Sequence, residues 1–462
     1  MRARLRMTGW QHQNFEGHLY PGDGLEALAF ATCGVQVNAD VTTLLVRHVH
    51  LVPYGECRRE ENLLEWRTER LEEILAEAVR EGLTLLKLHS HPGGYEKFSR
   101  LDDASDAEVF GAFHDWTRAG APAVSAVMLP GGRLFGRSFF NGRETGVLER
   151  VSVVGEDLKF WDYDKQASPV SEITKRTRQV FGGATTELIG KRSVAVVGAS
   201  GTGSLVIQQL GHLGVERLVV VDPDYVDDVN LGRIVHATAR DAVAQRLKVE
   251  VQRRFIEALP FGTEVLDLPT VLAGEEAIRA IASCDVVIGC MDQLEGRHQL
   301  NRLAAFYSLP YIDVGVHVES DGDGGVSELC GAVHYLLPGG PTLQQRGVYT
   351  QAQLDAAVLL RENPAEYEKR RDEGYLHGVS EERPAVITLN SRFAALAVEE
   401  LLMRLHAIRS SGNGAYAMQS IDLVTGLHVN EPELDVQSPL ARFVGCGDHE
   451  HLLGLPALSV AR

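Results

Sequence analysis

The sequence has no apolar run approaching the roughly 20 residues that a transmembrane helix needs. Its first residues, Met1-Arg2-Ala3-Arg4, do not lead into the apolar stretch of a secretory signal. Cysteine is sparse. The six residues at 33, 57, 284, 290, 330 and 446 form no Cys-x-x-Cys pair, which argues against a disulfide framework or a zinc ribbon. Basic residues are outnumbered, with 45 Lys and Arg against 63 Asp and Glu, a formal charge of −18. Such a surface suits neither nucleic acid nor an anionic membrane, although a local basic site for a phosphate stays open. There is no internal repeat and no low-complexity tract. These features predict a cytoplasmic protein.

What is present is ordinary globular composition, 44% hydrophobic and 23% charged over 462 residues. At about 150 residues per domain this suggests two to four domains. The pattern changes near residues 145–175. Before it come short β-type runs at Leu44–Val52, Thr84–His89 and Ala123–Leu129. A helix over Glu65–Glu81 has apolar Leu71, Ile74, Leu75 and Ala78 and ends at Gly82. The polar stretch Gly155–Ser171 reads as a linker. After it, strands at Val194–Val197, Arg217–Val221, Val286–Ile288 and Tyr311–Val314 alternate with helical segments. This predicts a parallel sheet covered on both faces. Residues 341–384 read as a polar insertion over the active-site face, and Asn390-Ser391 as the cap of a helix reaching His406. The expected division is therefore 1–150, a linker at 151–173, and 174–462.

Two constellations carry chemistry. The first is His89-Ser90-His91-Pro92 followed by Ser99-Arg100-Leu101-Asp102. Two histidines at i and i+2 on a strand share a face, and Asp102 adds a carboxylate. Two imidazoles and one carboxylate leave a fourth tetrahedral position open, as in a catalytic zinc site. A carboxylate base is then required, and Glu26, an acid within Leu25-Glu26-Ala27-Leu28-Ala29-Phe30, is the candidate, with Glu56 or Glu60 as alternatives. Asp103 and Asp106 read as solvated loop or helix-cap residues.

The complete string, His-x-His-Pro, seven residues, then Ser-x-x-Asp, resembles the JAB/JAMM metalloprotease signature over roughly residues 20–140. That resemblance implies an α/β metalloprotease-like domain. In it Zn²⁺ would bind His89, His91 and Asp102, Ser99 would hydrogen-bond the tetrahedral intermediate, and Glu26 would act as the catalytic acid-base. Such proteases remove ubiquitin-like proteins or trim C-terminal extensions.

The second constellation is the strand, glycine turn and helix start at Val194–Ser204, with Gly198, Gly201 and Gly203 in the order Gly-x-x-Gly-x-Gly. Amide groups at a helix N-terminus favour phosphate. Asp222 ends the next strand, where a ribose-binding acid is expected. Asp224, Asn230, Arg233 and Lys248 follow, and Asp292 ends a later strand in Cys290-Met291-Asp292-Gln293. An Asn, an Arg and a Lys suit a triphosphate, and an acid suits Mg²⁺. A nicotinamide oxidoreductase has no need for this set.

Over roughly residues 174–430 the pattern resembles the ubiquitin-activating family that includes ThiF and MoeB, a Rossmann-like doubly wound fold. The resemblance implies that Gly198, Gly201 and Gly203 line the phosphates of ATP and that Asp222 and Asp224 lie at the nucleotide. Asn230, Arg233 and Lys248 would contact phosphates, and Asp292 would hold Mg²⁺. Arg178 would be an arginine finger reaching into a partner subunit, hence a homodimer. Ser200 replaces the usual second glycine. Pro338-Gly339-Gly340-Pro341 is not followed by cysteines, so the structural zinc of that family is not expected. No cysteine lies between 330 and 446, and Cys330 and Cys446 read as buried thiols before they read as thioester sites.

Together the two halves suggest a bifunctional enzyme. One half would adenylate the C-terminal glycine of a ubiquitin-like protein with Mg-ATP, and the other would cleave peptide or isopeptide bonds after that tail. The alternatives are sulfur-carrier activation for cofactor or cysteine biosynthesis, with a sulfur donor in place of a conjugating enzyme, or a binding scaffold without turnover.

Overall fold

The computed structural model describes residues 2–462 apart from 39–40, 61–62, 68, 118–119, 164–178, 180–184, 321–324, 373–385, 449–450 and 459–462. It separates into two compact units. The first contains Met1–Ala167 together with Phe306–Ser308 and Phe443–Arg462, and the second contains the rest.

The first unit is built on β1 (Arg2–Thr8), β2 (Leu28–Asn38), β3 (Val41–Leu51), β6 (Thr84–Ser90), β7 (Ala123–Met128), β8 (Leu134–Phe140), β9 (Arg143–Val154) and β10 (Leu158–Asp162). Their order is β1-β3-β2-β6-β7-β8-β9-β10, and β1 also pairs with β9, so seven strands close into a barrel-like ring. A separate hairpin joins β4 (Cys57–Glu60) to β5 (Leu63–Trp66). Three helices accompany the ring: α1 (Gly9–Leu19), α2 (Glu69–Glu81) and α3 (Arg100–Thr117).

Two buried clusters hold this unit. One includes Leu5, Met7, Phe15, Ala29, Leu44, Leu86, Leu88 and Val151. The other joins Leu71, Ile74, Leu75 and Ala78 of α2 to Leu85 of β6 and to Val109, Phe110 and Phe113 of α3. The 3.6-residue period expected around Leu71 is thus the buried face of α2. The helix starts at Glu69, later than expected, because Leu63–Trp66 pairs as a strand with Cys57–Glu60.

Two boundaries differ from the sequence reading. Residues 151–154 finish β9 and 158–162 form β10, so the expected linker at 151–173 begins with sheet. Phe160 is buried and pairs with Ser152, which a polarity count over the stretch conceals. The last residues also leave the expected 174–462 segment for the first unit. There Val35 bridges Gly447, and Asp448 donates its amide to the Val35 carbonyl. This approach needs glycine on both sides. A Cβ on Gly34 would lie 2.2 Å from the Gly445 carbonyl oxygen, and Gly445 and Gly447 have φ of +73° and +65°.

The second unit has the parallel order β13-β12-β11-β14-β15, continued by antiparallel β16, β17 and β18. The strands are β11 (Ser193–Val197), β12 (Arg217–Val221), β13 (Glu264–Leu268), β14 (Val286–Gly289), β15 (Tyr311–Ser320), β16 (Val326–Leu336), β17 (Met418–Asp422) and β18 (Leu427–Glu431). The helices are α4 (Gly201–Leu213), α5 (Ala239–Val243), α6 (Lys248–Glu257), α7 (Glu275–Ala282), α8 (Leu294–Phe306), α9 (Gln351–Glu362), α10 (Pro364–Asp372) and α11 (Ile387–Leu405). The first five strands match the doubly wound expectation. The sheet as a whole is not all-parallel, because β15 runs past Val314 and pairs antiparallel with β16. The stretch expected as an insertion at 341–384 contains α9 and α10, and its residues from 373 lie outside the described ones. No helix among the described residues is long and apolar enough to cross a membrane.

Substituting Gly34→Ala forces the β2 backbone away from Gly445 and Cys446. Overpacking of this kind costs about 1–3 kcal/mol, so a thermal scan by circular dichroism is expected to show an earlier transition of the first unit. An unchanged transition would mean that the 443–448 segment does not pack there.

Candidate functional sites

In the first unit β6 delivers His89 and α3 delivers Asp102, while His91 follows directly after the strand. His89 Nε2 lies 3.1 Å from His91 Nε2 and 3.0 Å from Asp102 Oδ1, and His91 Nε2 lies 3.6 Å from Asp102 Oδ2. Both histidines are buried. His91 Nδ1 meets the Tyr95 carbonyl at 2.7 Å, which makes Nδ1 the donor and turns the Nε2 lone pair inward. Two imidazole nitrogens and a carboxylate oxygen converging within 4.8 Å are a donor set of the kind that suits a Zn²⁺-type ion.

Ser99 and Asp102 form a reciprocal cap at the start of α3. Ser99 N–H donates to Asp102 Oδ2 at 2.6 Å, and Asp102 N–H donates to Ser99 Oγ at 3.1 Å. The Ser-x-x-Asp spacing therefore has a local cause: it orients the carboxylate. Burial would raise the Asp102 carboxyl, but its bonds to His89 and His91 hold it well below the usual carboxylate range. Burial lowers His89, and Lys87 and His91 add to that against the pull of Asp102. For His91 burial also works downward, but its bonds to Asp102 and Tyr95 prevail and raise it.

Glu26 sits just before β2, where Ala27 N–H donates to Ser90 Oγ at 3.0 Å. Burial raises its carboxyl, His91 opposes this and Asp102 reinforces it, so the side chain lies within the field of the same cluster. The alternatives lie elsewhere: Glu56 is paired with Arg70 and Glu60 with Arg58. One expectation fails here. Asp106 is not solvated but fully buried, between Lys87 and Arg137, whereas Asp103 is exposed and also reaches Arg137.

In the second unit the glycine turn lies between β11 and α4. Gly198 has φ of +95°, and a Cβ there would lie 2.7 Å from the Cys290 carbonyl oxygen. Gly203 would strike the Gly198 carbonyl oxygen at 1.8 Å, and Gly201 the Asn390 Nδ2 at 2.3 Å. Glycine is thus required by the packing of the turn itself. Asp222 is buried and accepts the Ala199 and Asp224 amides at 2.7 and 2.9 Å, tying the turn to the loop after β12. Burial raises its carboxyl, while Lys248 pulls it down.

Lys248, at the start of α6, bonds Asp224 at 2.7 Å, and Asn230 is buried in a short turn with Asp227. The Arg233 side chain lies along Gly201. Asp292 is exposed in the loop after β14, two residues beyond Cys290, which donates its amide to Val197. Arg178 lies outside the described residues. Asn390 is not the helix cap it was expected to be. α11 begins at Ile387, and the buried Asn390 side chain faces Gly201 instead. Of the cysteines considered, Cys330 is half-buried and its thiol is pushed up by burial and by Glu328 and Asp422. Cys446 is buried and receives a hydrogen bond from Arg47.

Residues 174–424 match the model of the ThiF family, and the chain belongs to that family. It is 31% identical over 134 residues to the adenylyltransferase and sulfurtransferase UBA4 of Meyerozyma guilliermondii, covering 29% of this chain and 31% of that protein. It is 31% identical to the SAMP-activating enzyme E1 of Haloferax volcanii, covering 32% of this chain and 50% of that protein. It is 33% identical to a sulfur carrier protein adenylyltransferase of Thermus thermophilus, covering 27% and 46%. The chain thus spans half or less of the length of these curated relatives.

Gly201→Ala is expected to destabilise the second unit by about 1–3 kcal/mol through the contact with Asn390. Adding Asn390→Ala should recover most of the lost midpoint in a thermal scan. No recovery would place the obstruction at Arg233 instead.

Proposed function

We propose that the second unit is an adenylyltransferase acting on the C-terminal glycine of a ubiquitin-like or sulfur-carrier protein, and that the first unit is a zinc-dependent peptidase of JAB/JAMM type that cleaves after that tail. Support for the first part is the ThiF-family match over 174–424 together with relatives whose names state adenylyltransferase or E1 activity. The observation that carries the second part is the convergence of His89, His91 and Asp102 beside Glu26.

In the adenylation step a tail carboxylate oxygen bonds the α-phosphorus of ATP and pyrophosphate leaves, giving an acyl adenylate. The chain contributes position and charge. The turn at Gly198–Gly203 and the start of α4 present amides to phosphate. Asn230, Arg233 and Lys248 offset phosphate charge, and Asp222 and Asp224 define the nucleoside end. Asp292 would hold Mg²⁺. Arg178 would act across a homodimer.

In the peptidase site His89, His91 and Asp102 would hold Zn²⁺, which when bound supplies Lewis acidity. Glu26 has the raised carboxyl of a group that accepts a proton and returns it to a leaving amine. Ser99, fixed by Asp102, can donate its hydroxyl hydrogen toward the reacting carbonyl while its lone pair accepts the Asp102 amide. Sulfur-carrier activation is favoured as a second reading by the name of the Thermus relative. The raised Cys330 thiol likewise speaks against that residue as a thioester site.

ATP–pyrophosphate exchange tests the reading, with Gly-ended small proteins supplied both trimmed and with short C-terminal extensions. Asp292→Ala is expected to abolish exchange and leave metal content unchanged. Glu26→Gln is expected to keep the metal, lower cleavage of extended clients by about 10²–10⁴-fold, and leave exchange with trimmed clients intact. Full cleavage by Glu26→Gln would remove Glu26 as the base, and absence of exchange with any client would remove the adenylation reading.

A further inference from the structure

The seam between β6 and α3 has a regular ladder. On β6 every second residue, Leu85, Lys87 and His89, faces one side. On α3 every fourth residue, Asp102, Asp106 and Phe110, forms one stripe. The partners match in order: His89 with Asp102, Lys87 with Asp106, and Leu85 with Phe110 in one buried cluster.

Asp106, fully buried, is held on both oxygens. Lys87 Nζ donates to Oδ1 at 2.7 Å, while Arg137 Nε and Nη2 donate to Oδ2 at 3.0 and 2.7 Å. Arg137 also lies 4.0 Å from the centre of the Phe98 ring and bonds Asp103 at 2.7 Å and Glu144 at 3.2 Å. It therefore grips the chain on both sides of Ser99–Asp102.

From this we infer that Asp106 is a positioning residue of the metal centre: with Lys87 and Arg137 it sets the register of α3 on β6 so that the Asp102 carboxylate meets His89 and His91. The inference rests on the metal-site reading above. Packing alone does not demand these charges. The neighbouring rung is apolar, and buried ion pairs are commonly replaceable by hydrophobic groups without loss of stability. Register does demand something directional. A slip of one residue would move Asp102 about 1.5 Å along the helix and turn it about 100°, more than a metal–oxygen bond of about 2 Å tolerates.

The test uses the full chain and Co²⁺ as a spectroscopic probe. The variant Lys87→Met, Asp106→Leu, Arg137→Met keeps the volume and removes all three charges. It is expected to retain its far-ultraviolet dichroism, to bind Co²⁺ about 10–100-fold more weakly, and to show an altered visible ligand-field spectrum. If that variant fails to fold, Asp106→Glu keeps both ion pairs while pushing α3 by one methylene, and the same weakening is expected. Wild-type Co²⁺ affinity and spectrum in whichever of these variants is folded would overturn the inference and leave Asp106 a stability residue. A wild-type chain that takes up no Co²⁺, or whose uptake survives His91→Ala, would instead remove the metal reading itself, and this inference with it.

Discussion

A carboxylate can be withdrawn from water only where neighbouring groups satisfy it, and the chemistry proposed for each unit depends on one that is partly or wholly withdrawn. Asp102 lies against both imidazoles and accepts the Ser99 amide, and these neighbours hold its carboxyl low against burial. Asp222 accepts two main-chain amides and so fixes the glycine turn to the following loop. In both cases the acid belongs to the scaffold as much as to the site. Contacts within the protein already hold these groups in place, and such preorganisation lowers the reorganisation that a reaction requires.

The division of labour between glycine and acid in the ThiF-family unit is clearer in space than in the one-dimensional motif. Gly198 and Gly203 are each excluded from bearing a side chain by main-chain carbonyls, and Gly201 by Asn390. A glycine motif is therefore first a statement about how a turn folds, and only through that about phosphate. This also explains why Ser200 is accommodated. It stands at the N-cap of α4, where its conformation is not left-handed.

Much of the placement of the candidate residues was legible in the sequence because they sit at short, fixed spacings. His-x-His on one strand and Ser-x-x-Asp at one helix start bring four side chains together with only one long-range contact left to guess. Gly198 and Asp222 likewise follow the ends of adjacent strands, and Lys248 opens helix α6 after them. The residues that sequence reasoning missed come from far away or from misleading polarity. Asp106 and Lys87 look like surface charges, and only the pairing of β6 with α3 shows them buried. Asn390 looks like a cap because it opens a polar dipeptide, yet α11 starts three residues earlier. Phe160 was hidden in a charged stretch. A signal for Asp106 was available: it lies one helical turn after Asp102, on the stripe that continues to Phe110.

The meeting of Gly34 with Gly445 and Gly447 has a biosynthetic consequence. The first unit takes residues from both sides of the second, so the second is in effect an insertion within it. A ribosome delivers the barrel strands early, but the segment that packs on β2 emerges only after the whole ThiF-family unit has been made. The barrel must wait with part of its surface uncovered, and its last contact forms by closing a loop of several hundred residues. Because loop-closure entropy grows only logarithmically with length, each doubling of the intervening chain adds only about 0.6 kcal/mol to that closure, while the late arrival of the segment sets the order of assembly.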